Sequence, residues 1–303
     1  VFIKIFGFSL YVLKSISFLF LIIFFITIYF FLKKNYGINL KKYLLFCGLY
    51  ISVPIVIEHS FIYRPETMLM SFGFLSFYFL HTFIKTGSKK ALLLSAILTG
   101  LAVLVHLNGM IYLIANILMI LIFKRKIKHL AVFIFISLSI CLLYLFDFKN
   151  ISDLKLFVYQ FKNDPAISEK DISIYYKLKK IIDFHKIFFH SAQSSFFSAL
   201  FFVTLILGGK IYFKNINDKI IYFYTLILVF SLALIMRGRP IHYMILYMPF
   251  LLLIIFRLIT QDYLLSTTKQ KILGLFVFLH LFYSIVYTIS LINKNYKITI
   301  EEQ

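Results

Sequence analysis

Two carboxylates, an imidazole and a guanidinium lie within nine residues of one another, between apolar runs: Glu58, His59, Arg64 and Glu66. A guanidinium can bind a phosphate through two parallel hydrogen bonds, a geometry that lysine does not match. Charged groups at the mouth of a lipid-embedded helix are costly, which favours a function for them. The structural alternative is a capped helix start, in which Pro65 and Glu66 open the helix and Arg64 snorkels to the head groups.

Two further polar clusters interrupt apolar sequence. His106 and Asn108 break the run 91–123 near its middle, and irregular backbone at membrane depth is tolerated where it lines a polar cavity or is buried in protein. The alternative is a hydrogen-bonded reversal between two helices. The other cluster precedes a long apolar run and contains Arg237, Arg239, His242 and Tyr243. Its side chains suit either an anion site or the anchoring of a helix end.

Composition predicts the class of protein that carries these clusters. The chain has 303 residues, 61% of them hydrophobic and 15% charged, with more apolar surface than a water-soluble core of this size can hide. The net charge of +20 does not indicate nucleic-acid binding, because the basic residues sit between apolar runs rather than on one solvated face. Cys47 and Cys141 both lie inside apolar runs, so neither a disulfide framework nor a zinc site is indicated.

Apolar runs long enough to cross a bilayer occur about ten times, which predicts a single all-α polytopic transmembrane domain over residues 1–303. The runs are 15–32, 41–58, 65–84, 90–106, 108–123, 129–146, 190–208, 219–236, 241–258 and 271–290. If the helices alternate in direction, most basic linkers share one side, and the positive-inside rule makes that side cytoplasmic. The linkers in question contain Lys33, Lys34, Lys41, Lys42, Lys85, Lys89, Lys90, Lys124, Arg125, Lys126, Lys128, Lys210, Lys214, Lys219, Arg257, Lys269 and Lys271. All three polar clusters then face outward.

The segment 147–190 is the one sizeable external loop in this prediction. Its first half mixes charges with turn-forming residues. Its second half alternates apolar and basic residues at a spacing typical of a helix in the membrane interface, which would either cover the bundle or help to close over a lipid-linked substrate. Residues 1–14 have a similar pattern, and the chain opens on Val1. We therefore expect an upstream helix and external loop, the alternative being an ordinary N-terminus or a signal-like start.

Taken together, the three clusters resemble the GT-C glycosyltransferases, and within them the bacterial enzymes related to protein mannosyltransferases and aminoarabinose lipid A transferases. The resemblance rests on the order and topology of three motifs: Arg64-Pro65-Glu66, Gly100 with His106-Leu107-Asn108-Gly109, and Arg239-Pro240-Ile241-His242-Tyr243 with Met248-Pro249. It implies transfer of a sugar from a polyprenyl-phosphate donor to a lipid, glycan or protein acceptor. The reaction would take place on the outer face of the cytoplasmic membrane.

The resemblance also implies roles for individual residues. The family's base is an aspartate of the first external loop, which would lie before Val1, so the catalytic base of this chain is unknown. Arg64, Arg237 and Arg239 would contact phosphate or sugar, and Glu66 would bind sugar hydroxyls or orient Arg64. His106, Asn108, His242 and Tyr243 would line the cavity. The implied partners are the lipid-linked sugar donor and membrane lipids, and neither a metal nor another cofactor is expected.

Other classes of membrane protein remain open at this stage. An O-antigen polymerase or ligase would also use outward arginines, but with a larger external loop than 147–190. A transporter would place charges or broken helices near the middle of several spans, whereas here the ionisable residues lie mostly at span ends, and no internal repeat is present. A purely structural membrane protein is the remaining alternative. The identity of the sugar, the acceptor, the length of the lipid and the oligomeric state leave no readable motif.

Overall fold

The computed structural model describes residues 10–51, 53, 65–163, 173–176, 215–235 and 241–260, together with isolated helical positions between 268 and 293. Within these residues the secondary structure is helical, without strands. The α-helices are α1 (Leu10–Tyr36), α2 (Leu40–Ile51), α3 (Pro65–Thr86), α4 (Lys89–Val105), α5 (Met110–Phe123), α6 (Ile127–Cys141), α7 (Ile151–Lys162), α8 (Ile216–Ile235) and α9 (Met248–Thr260). Short 3₁₀ helices occupy Leu107–Gly109, Leu142–Asp147 and Ile241–Leu246.

Apart from α7, the helices coincide with the predicted apolar runs wherever the structure describes them. Their bounds differ from those of the runs by a few residues at most positions, and the run 190–208 lies outside the described residues. In the described part of the chain, three segments are long and apolar enough to cross a membrane by themselves, namely Lys14–Tyr36, Pro65–Thr86 and Ile127–Phe146. The chain is therefore a helical membrane protein, and the count of ten spans stays a prediction.

Helix α3 lies at the centre of the described bundle. In its apolar stretch 67% of the residues are buried, against 39% in α1 and 11% in the segment that contains α6. The difference follows from its neighbours, because α3 packs against α1 on one side and α4 on another, while α4 in turn packs against α6. Aromatic rings extend the contact to α8 and α9, since the Phe77 ring lies 4.6 Å from that of Tyr224 and 5.0 Å from that of Phe250.

Helix α6, in contrast to α3, is mostly exposed and presents apolar side chains outward. Phe135 is 73% exposed and Leu138 is also exposed, as is Leu142 at the start of the 3₁₀ helix that follows. In a soluble protein such a surface would be a liability, but against lipid chains it is the expected outer face of a spanning helix.

A buried polar network joins four helices near the middle of the bundle. The amide nitrogen of Asn116 on α5 donates to the hydroxyls of Ser76 on α3 and Thr99 on α4, at 2.8 and 2.7 Å. Its carbonyl oxygen accepts from the Tyr224 hydroxyl of α8 at 3.0 Å. Ser76 and Thr99 are themselves 2.6 Å apart, and Thr99 also donates to the Ser95 carbonyl. Because every polar group of Asn116 has a partner, the network fixes the helices in register without leaving a polar atom in hydrocarbon.

A buried ion pair ties α8 to α9 at the end of the bundle that carries Lys33, Lys34 and Lys85, called the basic end below. The Arg257 guanidinium donates to both carboxylate oxygens of Asp218, at 2.9 and 3.2 Å. The hydroxyl of Tyr36, the last residue of α1, donates to the same carboxylate at 2.7 Å, and its ring centroid lies 3.8 Å from the guanidinium carbon. The Asp218 side chain is 0% exposed and that of Arg257 is 10% exposed. The carboxylate and the guanidinium therefore satisfy each other where α1 ends and α8 begins.

Helix α7 occupies part of the segment in which charges and turn-forming residues alternate. Its start is capped by Asn150, whose side chain accepts from the Asp153 amide at 2.9 Å, while the Asp153 carboxylate accepts from the Lys149 amide at 3.0 Å. The turn-forming residues thus serve as a helix cap. Ile151 and Tyr159 are exposed on this helix, which is typical of an interfacial position. Of the amphipathic second half, residues 174–176 are helical and the remainder lies outside the described residues.

Candidate functional site

The start of α3 and the end of α4 lie at the same end of the bundle. The contact between Ser76 and Thr99 marks where these antiparallel helices are level with each other. Glu66 precedes Ser76 by ten residues and His106 follows Thr99 by seven, which corresponds to roughly 15 and 10 Å along the two helices. Since the helices run in opposite directions, the two displacements point the same way. Glu66 and His106 are therefore close in height, on the side opposite the Asp218–Arg257 pair.

Glu66 is a buried carboxylate at the start of the most buried helix. It is 1% exposed and lies in the first turn of α3, where the partial positive charge of the helix N-terminus favours an anion. The neighbouring Thr67 is also buried. Acidic side chains are almost never buried to this degree unless they are paired. The burial differs from that of a simple solvated helix cap, and the predicted contact of Glu66 with sugar hydroxyls or with Arg64 stays a prediction.

The reversal between α4 and α5 is built around His106. This residue ends α4 in extended backbone, and its ring nitrogen Nδ1 accepts a hydrogen bond from the Asn108 amide at 3.1 Å. With Nδ1 as the acceptor, the proton of the neutral ring is on Nε2. The Gly109 amide donates to the His106 carbonyl at 2.8 Å, which closes the 3₁₀ turn Leu107–Gly109. The predicted break is confirmed, and it takes the form of a hydrogen-bonded reversal in which the imidazole has a fixed orientation.

Gly109 is required by the close approach of the two helices at this reversal. A β-carbon at this position would lie 2.5 Å from the backbone carbonyl atoms of Ala102 in α4. Backbone atoms cannot move aside as a flexible side chain can, so only glycine permits the approach. The spacing from His106 to Gly109 therefore fixes how α5 leaves the end of α4.

The 3₁₀ helix Ile241–Leu246 is held against α3 and α5 by a tyrosine. The Tyr112 hydroxyl donates to the Leu246 carbonyl at 2.7 Å, and the Tyr112 ring lies directly over Gly73 of α3, where any β-carbon would collide with it. This contact was not evident in the sequence, because nothing links positions 73, 112 and 246 along the chain. Its effect is to hold the 3₁₀ helix that carries Tyr243 against α3, which carries Glu66.

Tyr243 of this 3₁₀ helix meets His106. Their ring centroids are 5.7 Å apart with the planes at 45°. His106 of the second cluster is therefore in contact with Tyr243 of the third, and α3, which carries Glu66, packs against the same 3₁₀ helix. An imidazole, a phenol and a buried carboxylate at one end of a bundle supply donors and an acceptor suited to a polyhydroxylated substrate.

Tyr247, one residue beyond this 3₁₀ helix, is a buried polar residue that sequence reasoning did not single out. It is 1% exposed, and its hydroxyl has no hydrogen-bond partner in the part of the chain that the structure describes. Buried hydroxyls usually have a hydrogen-bond partner, so Tyr247 is an exception among the described residues. Tyrosines are frequent at helix ends in membranes, so its position in the sequence carries no signal of its own.

The positively charged part of the predicted site lies outside the described residues. This applies to Arg64, Arg237 and Arg239, to Glu58 and His59, and to the side chain of His242. Among the residues that the structure does describe, no group of three or more histidine, cysteine or acidic side chains is placed to hold a metal ion.

The first part of the chain matches a known protein family. Residues 1–146 match the family model of the dolichyl-phosphate-mannose-protein mannosyltransferases. The matched region is just under half of the 303 residues, includes Glu66, His106 and Asn108, and ends before the third cluster. No significant match was found among curated proteins or among solved structures. The match agrees with the resemblance that the first two sequence motifs carry.

Proposed function

We propose that this protein transfers a sugar from a polyprenyl-phosphate donor to an acceptor hydroxyl on the outer face of the cytoplasmic membrane. The observation that carries the proposal is the match over residues 1–146, because it contains two of the three polar clusters. The structure supports it independently. Glu66, His106 and Tyr243 come from distant parts of the sequence and gather at one end of the bundle.

The reaction needs a nucleophile, a leaving group and a place for one proton. The acceptor oxygen forms a bond to the anomeric carbon of the sugar while the bond from that carbon to the lipid phosphate oxygen breaks. The electron pair leaves with the phosphate, and the acceptor proton passes to a carboxylate base. The products are a glycoside and the polyprenyl phosphate. The charge that develops on the departing phosphate requires cations nearby.

The residues of this chain divide between these tasks by their chemistry. Arg64, Arg237 and Arg239 are assigned to the phosphate, because guanidinium groups bind phosphate oxygens in pairs. Glu66 is assigned to sugar hydroxyls or to the orientation of Arg64. His106, Tyr243 and the neighbouring Asn108 and His242 form the wall of the sugar cavity. The carboxylate base is not assigned to any residue of this chain.

The test is sugar transfer in membranes from cells that express the natural gene, supplied with polyprenyl-phosphate sugar. Arg64→Ala should abolish transfer while leaving the amount of protein in the membrane unchanged. Arg64→Lys should restore charge without the paired hydrogen bonds, and therefore recover only a small part of the rate. Each missing charged hydrogen bond costs about 1.5–3 kcal/mol, or roughly ten- to a hundredfold in rate.

Arg125 provides the matched control. It is exposed in the linker between α5 and α6, at the other end of the bundle. Arg125→Ala removes the same charge from the chain and should leave transfer unchanged. Full activity of Arg64→Ala, or equal loss in both variants, would remove the phosphate role from Arg64.

A further inference from the structure

At the basic end of the bundle, an open cleft of about 320 Å³ lies between the last turns of α1 and α3 and the first turn of α4. Its polar lining consists of Lys34, Tyr78, Thr82, Ser88 and Lys90, and its apolar wall includes Phe79. The cleft is at the opposite end from Glu66 and His106. It therefore has no part in the proposed transfer reaction, and a ligand bound in it would be independent of that reaction.

The cleft carries positive charge that the described part of the chain does not neutralise. In the described ranges 10–51 and 65–105, Glu66 is the only acidic residue, and it lies at the far end of α3. Lys34 makes a cation–π contact with the Tyr78 ring at 5.7 Å, and neither Lys34 nor Lys90 has an acidic partner among the described residues. Asp218, at the same end, is fully occupied by Arg257 and Tyr36. The lining therefore lacks an anion.

The start of α4 adds backbone donors to the two lysines. Ser88 caps the helix by accepting from the Ala91 amide at 3.4 Å, and its carbonyl accepts from the Leu92 amide at 3.2 Å. The amides of the first two residues, Lys89 and Lys90, remain at the helix N-terminus, where an anion is favoured. The lysine charges, the cap and the cleft meet at one place.

The location of the cleft points to a lipid rather than a soluble anion. Lys34 lies in the last turn of a segment long enough to span the membrane, and Lys90 lies in the first turn of α4, so both are at membrane-interface height. One helical turn toward the bilayer centre from each lysine, an apolar side chain is exposed: Phe30 at 55% and Leu93 at 40%. A phosphate between the lysines would thus continue into acyl chains along these side chains.

We propose that this cleft binds the phosphate head group of an anionic phospholipid from the leaflet that faces the basic end. Basic pockets between membrane helices at the cytoplasmic side are suited to such head groups. With two lysines near the membrane surface, the expected preference for an anionic over a zwitterionic lipid is roughly thirtyfold. A lipid bound there contacts α1, α3 and α4 and stabilises their junction.

The chain contains no tryptophan, which allows a direct test. Phe79→Trp places the sole indole in the wall of the cleft. The variant is reconstituted in phosphatidylcholine vesicles that contain either brominated phosphatidylglycerol or brominated phosphatidylcholine in equal amount. Quenching of the indole by the brominated anionic lipid should exceed quenching by the brominated zwitterionic lipid. Replacing Lys34 and Lys90 by glutamine should remove the excess, and replacing both by arginine should retain it.

Leu44→Trp is the control reporter. Leu44 is exposed on α2 at the same basic end, close in sequence to Lys41 and Lys42, and does not line the cleft. Equal preference at both reporters would mean general attraction to a basic surface and would overturn the site. So would equal quenching of the Phe79→Trp variant by the two lipids, or an excess that survives the double glutamine replacement. Loss of the excess on addition of inorganic phosphate at matched ionic strength would assign the cleft to a soluble anion instead. None of these outcomes bears on sugar transfer.

Discussion

Removal of Asp218 tests how the basic end of the bundle is held together. Asp218→Ala leaves the Arg257 guanidinium, only 10% exposed, without its carboxylate, and removes the acceptor of the Tyr36 hydroxyl. An unpaired buried charge costs about 3–5 kcal/mol, more than the net value of the hydrogen bonds themselves. We expect the free energy of unfolding to fall by about that amount. Most of this loss of stability comes from the Arg257 guanidinium, which stays buried without a carboxylate partner.

Unfolding can be measured in mixed micelles with a rising fraction of sodium dodecyl sulfate, followed by a dye that fluoresces on reaction with thiols. Cys47 and Cys141 are free and half-buried, so both report on opening of the bundle. The double variant Asp218→Leu/Arg257→Met removes both charges and should recover more than half of the stability that Asp218→Ala loses, since apolar replacements of a buried pair are often close to neutral.

Asp153→Ala is the matched control for this experiment. Asp153 also lies in the first turn of a helix, but its hydrogen bonds are exposed, so its loss should cost about 1 kcal/mol or less. The reasoning is refuted if Asp218→Ala costs no more than Asp153→Ala. It is also refuted if the double variant is as unstable as the single one, because the cost would then not come from an unpaired charge.

Three further substitutions test the packing that places the candidate site. Gly73→Ala should lower the free energy of unfolding by about 1–3 kcal/mol and reduce sugar transfer, because the added β-carbon meets the Tyr112 ring. Gly48→Ala is the control: an added β-carbon there has nothing within 4 Å, so the change should be neutral or stabilise by up to about 1 kcal/mol in the same unfolding assay. Gly109→Ala should also lower the free energy of unfolding by about 1–3 kcal/mol and lower sugar transfer. Normal activity of this variant would show that the α4–α5 reversal accommodates a β-carbon and would contradict the prediction. Asn116→Leu removes three buried hydrogen bonds and should cost roughly 2 kcal/mol, and an unchanged unfolding curve would contradict the role of the network.

The helices were predictable from the sequence because lipid allows little else. An apolar run of spanning length must satisfy its own backbone, so its ends mark the helix ends. The break at His106 was also readable, since two polar residues and a glycine interrupt an apolar run there. Helix α7 was missed because Asn150 and Asp153 favour turns and helix starts alike, and only the structure shows which role they take.

The contacts between helices were not predictable in the same way. Asp218 and Arg257 are 39 residues apart, and no local pattern links them. Asn116 is a different case, because an amide in the middle of an apolar helix is itself a signal that a polar partner lies opposite. For the candidate site, topology correctly predicted that His106 and Tyr243 share one end of the bundle. The direct contact of their rings depends on Tyr112 and Gly73, which only the folded chain brings together.

The polar network around Asn116 has a consequence for the order in which the protein is made. Ser76, Thr99 and Asn116 lie within 40 residues of one another, so their hydrogen bonds can form while the later helices are still on the ribosome. Tyr224 follows 108 residues after Asn116 and completes the network last. An amide in the bilayer is costly until it is paired, so α3, α4 and α5 are expected to leave the translocon as one preassembled unit. Helices α3, α4 and α5, which are synthesised before α8, would thus serve as the template on which α8 docks.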